Sequence, residues 1–218
     1  GDPVQLLTPL RAKEDGMPFG GAWKRRAAGR IAAAVSILAL LCGFSSAEAA
    51  DGAAWQGTVE FSLGRYNIAD PLFNTIYRPG GSITGLGLTA NLIPRLGFSL
   101  DVKVLSKNGS LSHSKEKTSF VLIPVSLGLR ASYPVSFLIP FAGLGLDYYF
   151  YFENNPIGTV VDHAKGWHAA AGVYFQFGET IPILPFAKIK YTMVKASAGS
   201  RTIDLGGWEY GAGLAIAF

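Results

Sequence analysis

Apolar residues alternate with small or charged ones at a period of two along most of the chain from residue 54 onward. The stretch "TVEFSLGRY" sets Val59, Phe61 and Leu63 against Thr58, Glu60, Ser62 and Gly64. "RLGFSLDVKVL" sets Leu96, Phe98, Leu100, Val102 and Val104 against Gly97, Ser99, Asp101 and Lys103. The final "GGWEYGAGLAIAF" puts Trp208, Tyr210, Ala212, Leu214, Ile216 and Phe218 on one face and Glu209, Gly211, Gly213, Ala215 and Ala217 on the other. The pattern predicts eight strands, at 54–67, 82–93, 95–107, 118–131, 136–152, 165–178, 181–196 and 203–218. Short turns at "IPRL", "ASYPVS" and "GETI" alternate with longer polar loops at "IADPLFNTIYRPGG", "KNGSLSHSKEK", "ENNPIGTVVDHA" and "SAGSRT".

An even strand count with alternating short and long connections is the layout of an outer-membrane barrel. Each segment is long enough for the ~9–11 residues with which a tilted strand crosses a bilayer. A sheet in lipid has to close, because an open edge leaves backbone donors and acceptors unsatisfied. An eight-stranded lumen is narrow, so the bulky face is expected outward, toward acyl chains, and the small face inward. The fold class read from the chain is all-β: an eight-stranded antiparallel up-and-down transmembrane β-barrel preceded by a signal peptide.

Strand parity assigns eight charged residues to the lumen: Glu60, Asp101, Lys103, Arg130, Asp147, Lys188, Lys190 and Glu209. Acids and bases balance, and unpaired ions in a partly dry interior cost several kcal/mol each. A paired network sealing the lumen is therefore expected rather than a channel. Aromatics gather at both strand ends. Tyr66, Tyr148, Phe150, Phe152, Trp167 and Trp208 lie toward the loops, and Trp55, Phe98, Phe177 and Phe218 toward the turns, as interfacial girdles require. Pro124 interrupts a predicted strand, where a bulge or a change of register is expected.

Composition sharpens this picture. Charged residues are 16% and apolar ones 49% of the 218-residue chain, a low charge for a soluble protein. The formal charge is +4, but six of the nineteen Lys and Arg precede residue 31, so no basic patch points to nucleic acid. Lys24, Arg25, Arg26 and Arg30 precede the apolar run 31–42 and then "GFSSAEAA". This is the n-region, h-region and A-x-A form of a signal peptide, with cleavage expected after Ala49 and Ala47 at the other small position. The expected organisation is a non-native extension at 1–16, a signal peptide at 17–49 starting from Met17, and the barrel at 50–218. Past the leader there is no cysteine, which excludes disulfides and thiolate metal sites from the mature chain. No phosphate-loop, zinc, EF-hand or dinucleotide fingerprint is present, and no cofactor is expected.

The C-terminal "GLAIAF" and the run "LIPVSLGLRASYPVSFLIPFAGLGLDYYF", taken with the signal peptide, resemble the small outer-membrane β-barrel superfamily of OmpA, OmpX and OmpW type. The resemblance implies that Phe218 belongs to the terminal signal read by the barrel assembly machinery. It also implies a setting among outer-membrane lipid and lipopolysaccharide. The expected role is structural or loop-mediated, without catalysis, with Tyr77, Arg78, Lys115 and Lys117 as loop contacts. Two alternatives stand beside it: an OmpW-like conduit for small apolar molecules, and a lipid A-modifying enzyme using a His and a Ser near the external rim. For the latter the histidines are His113, His163 and His168, and Ser110, Ser112 and Ser114 flank the first.

Overall fold

The computed structural model describes residues 55–110, 117–156, 158–178, 181–198 and 201–218. The leader, with Ala47 and Ala49, lies outside them, as do His113 and Lys115. The strands are β1 (Gly57–Ile68), β2 (Gly81–Ile93), β3 (Leu96–Ser110), β4 (Lys117–Ser132), β5 (Leu138–Asn155), β6 (Gly158–Phe175), β7 (Ile183–Ala198), β8 (Arg201–Asp204) and β9 (Gly207–Ala217). One helix, α1 (Pro71–Tyr77), lies between β1 and β2.

Every described strand pair is antiparallel, and consecutive strands pair from β1 through β6. β6 then pairs β7, β7 pairs β9, and β9 pairs β1, so the ladder returns to its start as a ring. The eight long strands therefore have hydrogen-bonded neighbours on both sides, and the unpaired edges that invite association are removed. The short β8 extends the ladder on β7 beyond the part that β9 occupies.

Four sequence expectations change at this level. The stretch expected as a single strand over 203–218 is broken at Leu205 and Gly206. There the Gly206 amide donates to the Val194 carbonyl at 3.1 Å and to Asp204 Oδ1 at 3.0 Å. Gly207 follows with φ of 146°, and a Cβ there would come within 1.9 Å of the Asn67 carbonyl oxygen. The loop "ENNPIGTVVDHA" is largely strand, with β5 and β6 continuing until Asn155 faces Gly158. The loop "IADPLFNTIYRPGG" contains α1, whose N-cap Asp70 accepts the Leu72 and Phe73 amides at 2.9 Å each and whose first residue is a proline, as helix starts favour.

Pro124 causes no slip. The β3–β4 pairing runs in one register on both sides of it, from Val102↔Val125 to Leu105↔Leu122, and β4–β5 pairing continues through Pro124↔Tyr149. The missing donor leaves a gap in the ladder without adding a residue. A register irregularity instead falls at Asn91–Ile93, beside the β2–β3 turn.

The outward face is apolar, with Leu63 53%, Leu144 66%, Leu146 70% and Ile216 56% exposed. The inward face is not uniformly small. Toward the loop end it holds Tyr66, Ile83, Leu105, Phe120, Leu122, Tyr149 and Val194, capped by Phe73 and Tyr77 of α1. Toward the turn end it holds Ile139, Phe141, Tyr174, Leu184 and Phe186, with Trp55 packed on them. Tyr66 and Trp55, expected in the girdles, thus belong to the interior. The bulky groups fit because glycines sit beside them: Phe141 rings fill the space at Gly172, and Phe186 that at Gly213.

Gly207 generates a prediction. Its backbone lies where L side chains are strained, so Gly207→Ala is expected to lower unfolding stability by roughly 1–3 kcal/mol. Urea unfolding of the refolded protein in lipid vesicles measures this.

Candidate functional site

The middle of the ring is a belt of ions between the two apolar layers. Glu60 comes from β1, Asp101 and Lys103 from β3, Arg130 from β4, Asp147 from β5, Lys188 and Lys190 from β7, and Glu209 from β9. All eight are buried, Glu60 to 1% exposure. They point inward because side chains alternate along each strand, and buried neighbours on the same face, such as Leu105 on β3, Tyr149 on β5 and Phe186 on β7, hold that register.

Glu60 is the hub. Arg130 Nη1 and the Tyr174 hydroxyl both donate to its Oε1, and Lys188 Nζ reaches its Oε2 at 3.1 Å. Lys188 also donates to Asp101 Oδ1 at 3.0 Å, joining β1, β3 and β7 across the ring. Lys103 pairs with Glu209. A second group centres on Asp147, whose Oδ1 accepts Lys190 Nζ at 2.9 Å and lies 2.9 Å from His168 Nδ1. Lys190 also donates to the Ser126 hydroxyl at 2.6 Å.

The belt is wedded to the layers beside it. The Arg130 guanidinium lies 4.5 Å from the Phe141 ring centre, and the Lys188 ammonium 5.4 Å from that of Phe186, distances at which ring faces attract cations. β2 contributes space rather than charge: a Cβ at Gly85 would fall 2.4 Å from Lys103 Cγ, and one at Gly87 2.9 Å from Asp101 Oδ1. Above the belt the Tyr66 hydroxyl meets Thr192 Oγ1 at 2.8 Å, the Leu205 carbonyl at 2.7 Å and the Tyr149 hydroxyl at 3.2 Å. Parity alone does not reveal these partners. Ser126 does occupy an inward position on β4 with Arg130, and His168 and Tyr174 occupy inward positions on β6, which carries none of the eight ions; that parity was the available signal.

α1 lies across the loop-end mouth. Phe73 and Tyr77 are buried and pack with Phe120 at ring-centre distances of 4.8 and 5.6 Å. The Tyr77 hydroxyl donates to Glu153 Oε1 at 2.7 Å and lies 2.8 Å from Thr118 Oγ1. Burial, reinforced by that carboxylate, raises the Tyr77 hydroxyl well above the usual phenol range, which keeps it a donor. Tyr77, expected as a loop contact, is thus a plug residue. Lys107 bonds to the Arg78 carbonyl and holds the end of α1. The void beneath α1 is only about 20 Å³, close to the space of a single water.

Outside α1 an open cleft of about 780 Å³ is lined by Arg78, Asn108, Ser110, Lys117, Thr118, Ser119 and Asn154, among others. The two described histidines do not converge with Ser110 or Ser119. His168 is tied to Asp147 in the belt, whereas His163 is exposed and stacks on Tyr148 at 5.2 Å. Among the described residues no His, Cys, Asp and Glu cluster is arranged to hold a metal.

No family model and no curated protein sequence matches the chain. Solved structures do match. Neisserial surface protein A superposes with a TM-score of 0.60 at 15% identity, covering 77% of this chain and 100% of that one. The outer membrane protein OprG from Pseudomonas aeruginosa superposes at 0.61 and 15% identity, covering 76% and 96%. At such identity the likeness is one of fold, which the chain shares with these two proteins.

The hub generates a prediction. Glu60→Ala strands Arg130 and Lys188 without their shared acceptor and is expected to cost about 3–5 kcal/mol. The double change Glu60→Ala with Arg130→Ala should cost clearly less than the two single changes together. A double-mutant cycle by urea unfolding reads the difference.

Proposed function

We propose that this protein is a non-enzymatic, transmembrane eight-stranded β-barrel of the bacterial outer membrane, with a sealed lumen and an external mouth built for contact. The observation that carries the reading is the inverted distribution of polarity. Large apolar side chains face outward around the ring while balanced ions fill its middle. A belt of this kind in water would be a large exposed apolar patch; in lipid it is the surface that a spanning barrel needs. The basic and apolar pattern of residues 24–49, read as an export signal, supports delivery to that membrane.

Three successive layers support a sealed interior. α1 fills the mouth, the ion belt leaves its charged groups paired, and Phe141, Tyr174 and Phe186 fill the turn end. A conduit for apolar molecules would need a tunnel, and the void under α1 holds little more than a water. The loop-mediated role falls to the external cleft, where Arg78 and Lys117 are exposed cations.

In planar bilayers the refolded protein is expected to show no sustained conductance; steady single-channel steps would contradict a sealed lumen. The mature chain should also fractionate with the outer membrane and migrate faster on a detergent gel before heating than after. Recovery in the soluble periplasm would overturn the membrane reading itself.

A further inference from the structure

Among the outward positions toward the loop end, one pairing runs against sheet energetics. Lys165 on β6 lies directly opposite Lys195 on β7, and both side chains are exposed. Like charges opposite one another destabilise an antiparallel pair. Among the described residues neither lysine is in an ion pair. One acid shares this row, Asp204 opposite Lys195 on its other side, with its Oδ1 accepting the Gly206 amide, so the row sets two cations against one carboxylate.

The rows around the pair have a definite order. On the lysine row Tyr148 faces Lys165, and its ring centre lies 5.6 Å from the Lys165 ammonium. One row farther from the loops, Leu146 faces Trp167 and Trp167 faces Met193, all exposed. The two ammonium groups therefore stand where this apolar row gives way to rows of mixed polarity, the next toward the loops setting His163 opposite Phe150. Aromatic side chains are placed at such borders, at the level of lipid headgroups.

We propose that Lys165 and Lys195 form a binding site for the phosphate of an outer-leaflet lipid, whose acyl chains lie along Leu146, Trp167 and Met193. The proposal rests on the membrane placement given above. A phosphate oxygen between the two ammonium groups turns a repulsive cross-strand pair into two charge-assisted hydrogen bonds. Charge complementarity and the adjoining apolar row select a lipid over free phosphate, which would gain nothing from the apolar surface.

The test uses the chain with Trp167 as its sole tryptophan, refolded into phosphatidylcholine vesicles. A minor fraction of the lipid carries brominated acyl chains, either as phosphatidylcholine or as phosphatidic acid. Bromines quench Trp167 when they lie beside it, so both lipids should quench, and brominated phosphatidic acid should be enriched at the site by roughly tenfold. The enrichment should vanish in Lys165→Gln with Lys195→Gln and persist in Lys165→Arg with Lys195→Arg, with heat-modifiable migration confirming that each variant folds. Equal quenching by the two lipids, or enrichment that survives the glutamine pair, overturns the site. Absence of quenching by either lipid overturns the membrane placement and the site with it.

Discussion

The structure depends on neutralising charge inside a narrow ring. Four carboxylates and four cations are brought from six strands into one layer, and taking each from water costs several kcal/mol unless a partner is in place. The partners are on different strands, so none of these pairs exists until the ring is assembled. Glu60, Lys188 and Asp101 connect β1, β7 and β3, and Lys103 with Glu209 connects β3 and β9. Strand order, register and ring size must all be right at once for the belt to be satisfied. The belt thus favours one closed arrangement over slipped ones, since a one-residue slip would turn its ions outward.

The apolar layers on either side make the belt stronger. They keep water from the ions, which lowers the local dielectric and strengthens each charge-assisted bond. Arg130 and Lys188 use the faces of Phe141 and Phe186 as further partners. The same layers pack the interior on both sides of the belt. The ion belt and the apolar layers beside it thus pack as one interior, and the open cleft beside α1 and the apolar outward rows are left as the surfaces of the ring.

Much of this was legible in the chain. Period-two alternation located the eight long strands, the predicted faces matched the observed ones at Leu63, Leu214 and Ile216, and the ions that parity turned inward are buried. The helix was missed although its signal was present: Asp70 followed by Pro71 is a helix start, and Phe73 and Tyr77 are spaced to share one face. It went unread because the surrounding "IADPLFNTIYRPGG" looks like a polar connection. The interior aromatics were missed because a narrow lumen was expected to exclude them. The glycines that make room, Gly172 for Phe141 and Gly213 for Phe186, lie on other strands.

By itself the sequence determined which residues share a face, because side-chain direction along a strand follows from the backbone alone. It determined that one face would be greasy and that the ions on the other balance in sign. Tertiary structure alone decided which ion meets which, that Tyr66 turns inward to join Thr192 and Tyr149, and that α1 lies in the mouth. It also decided that Lys165 faces Lys195. These are contacts between residues far apart in the chain, and they are set by register and ring closure, which no local pattern encodes.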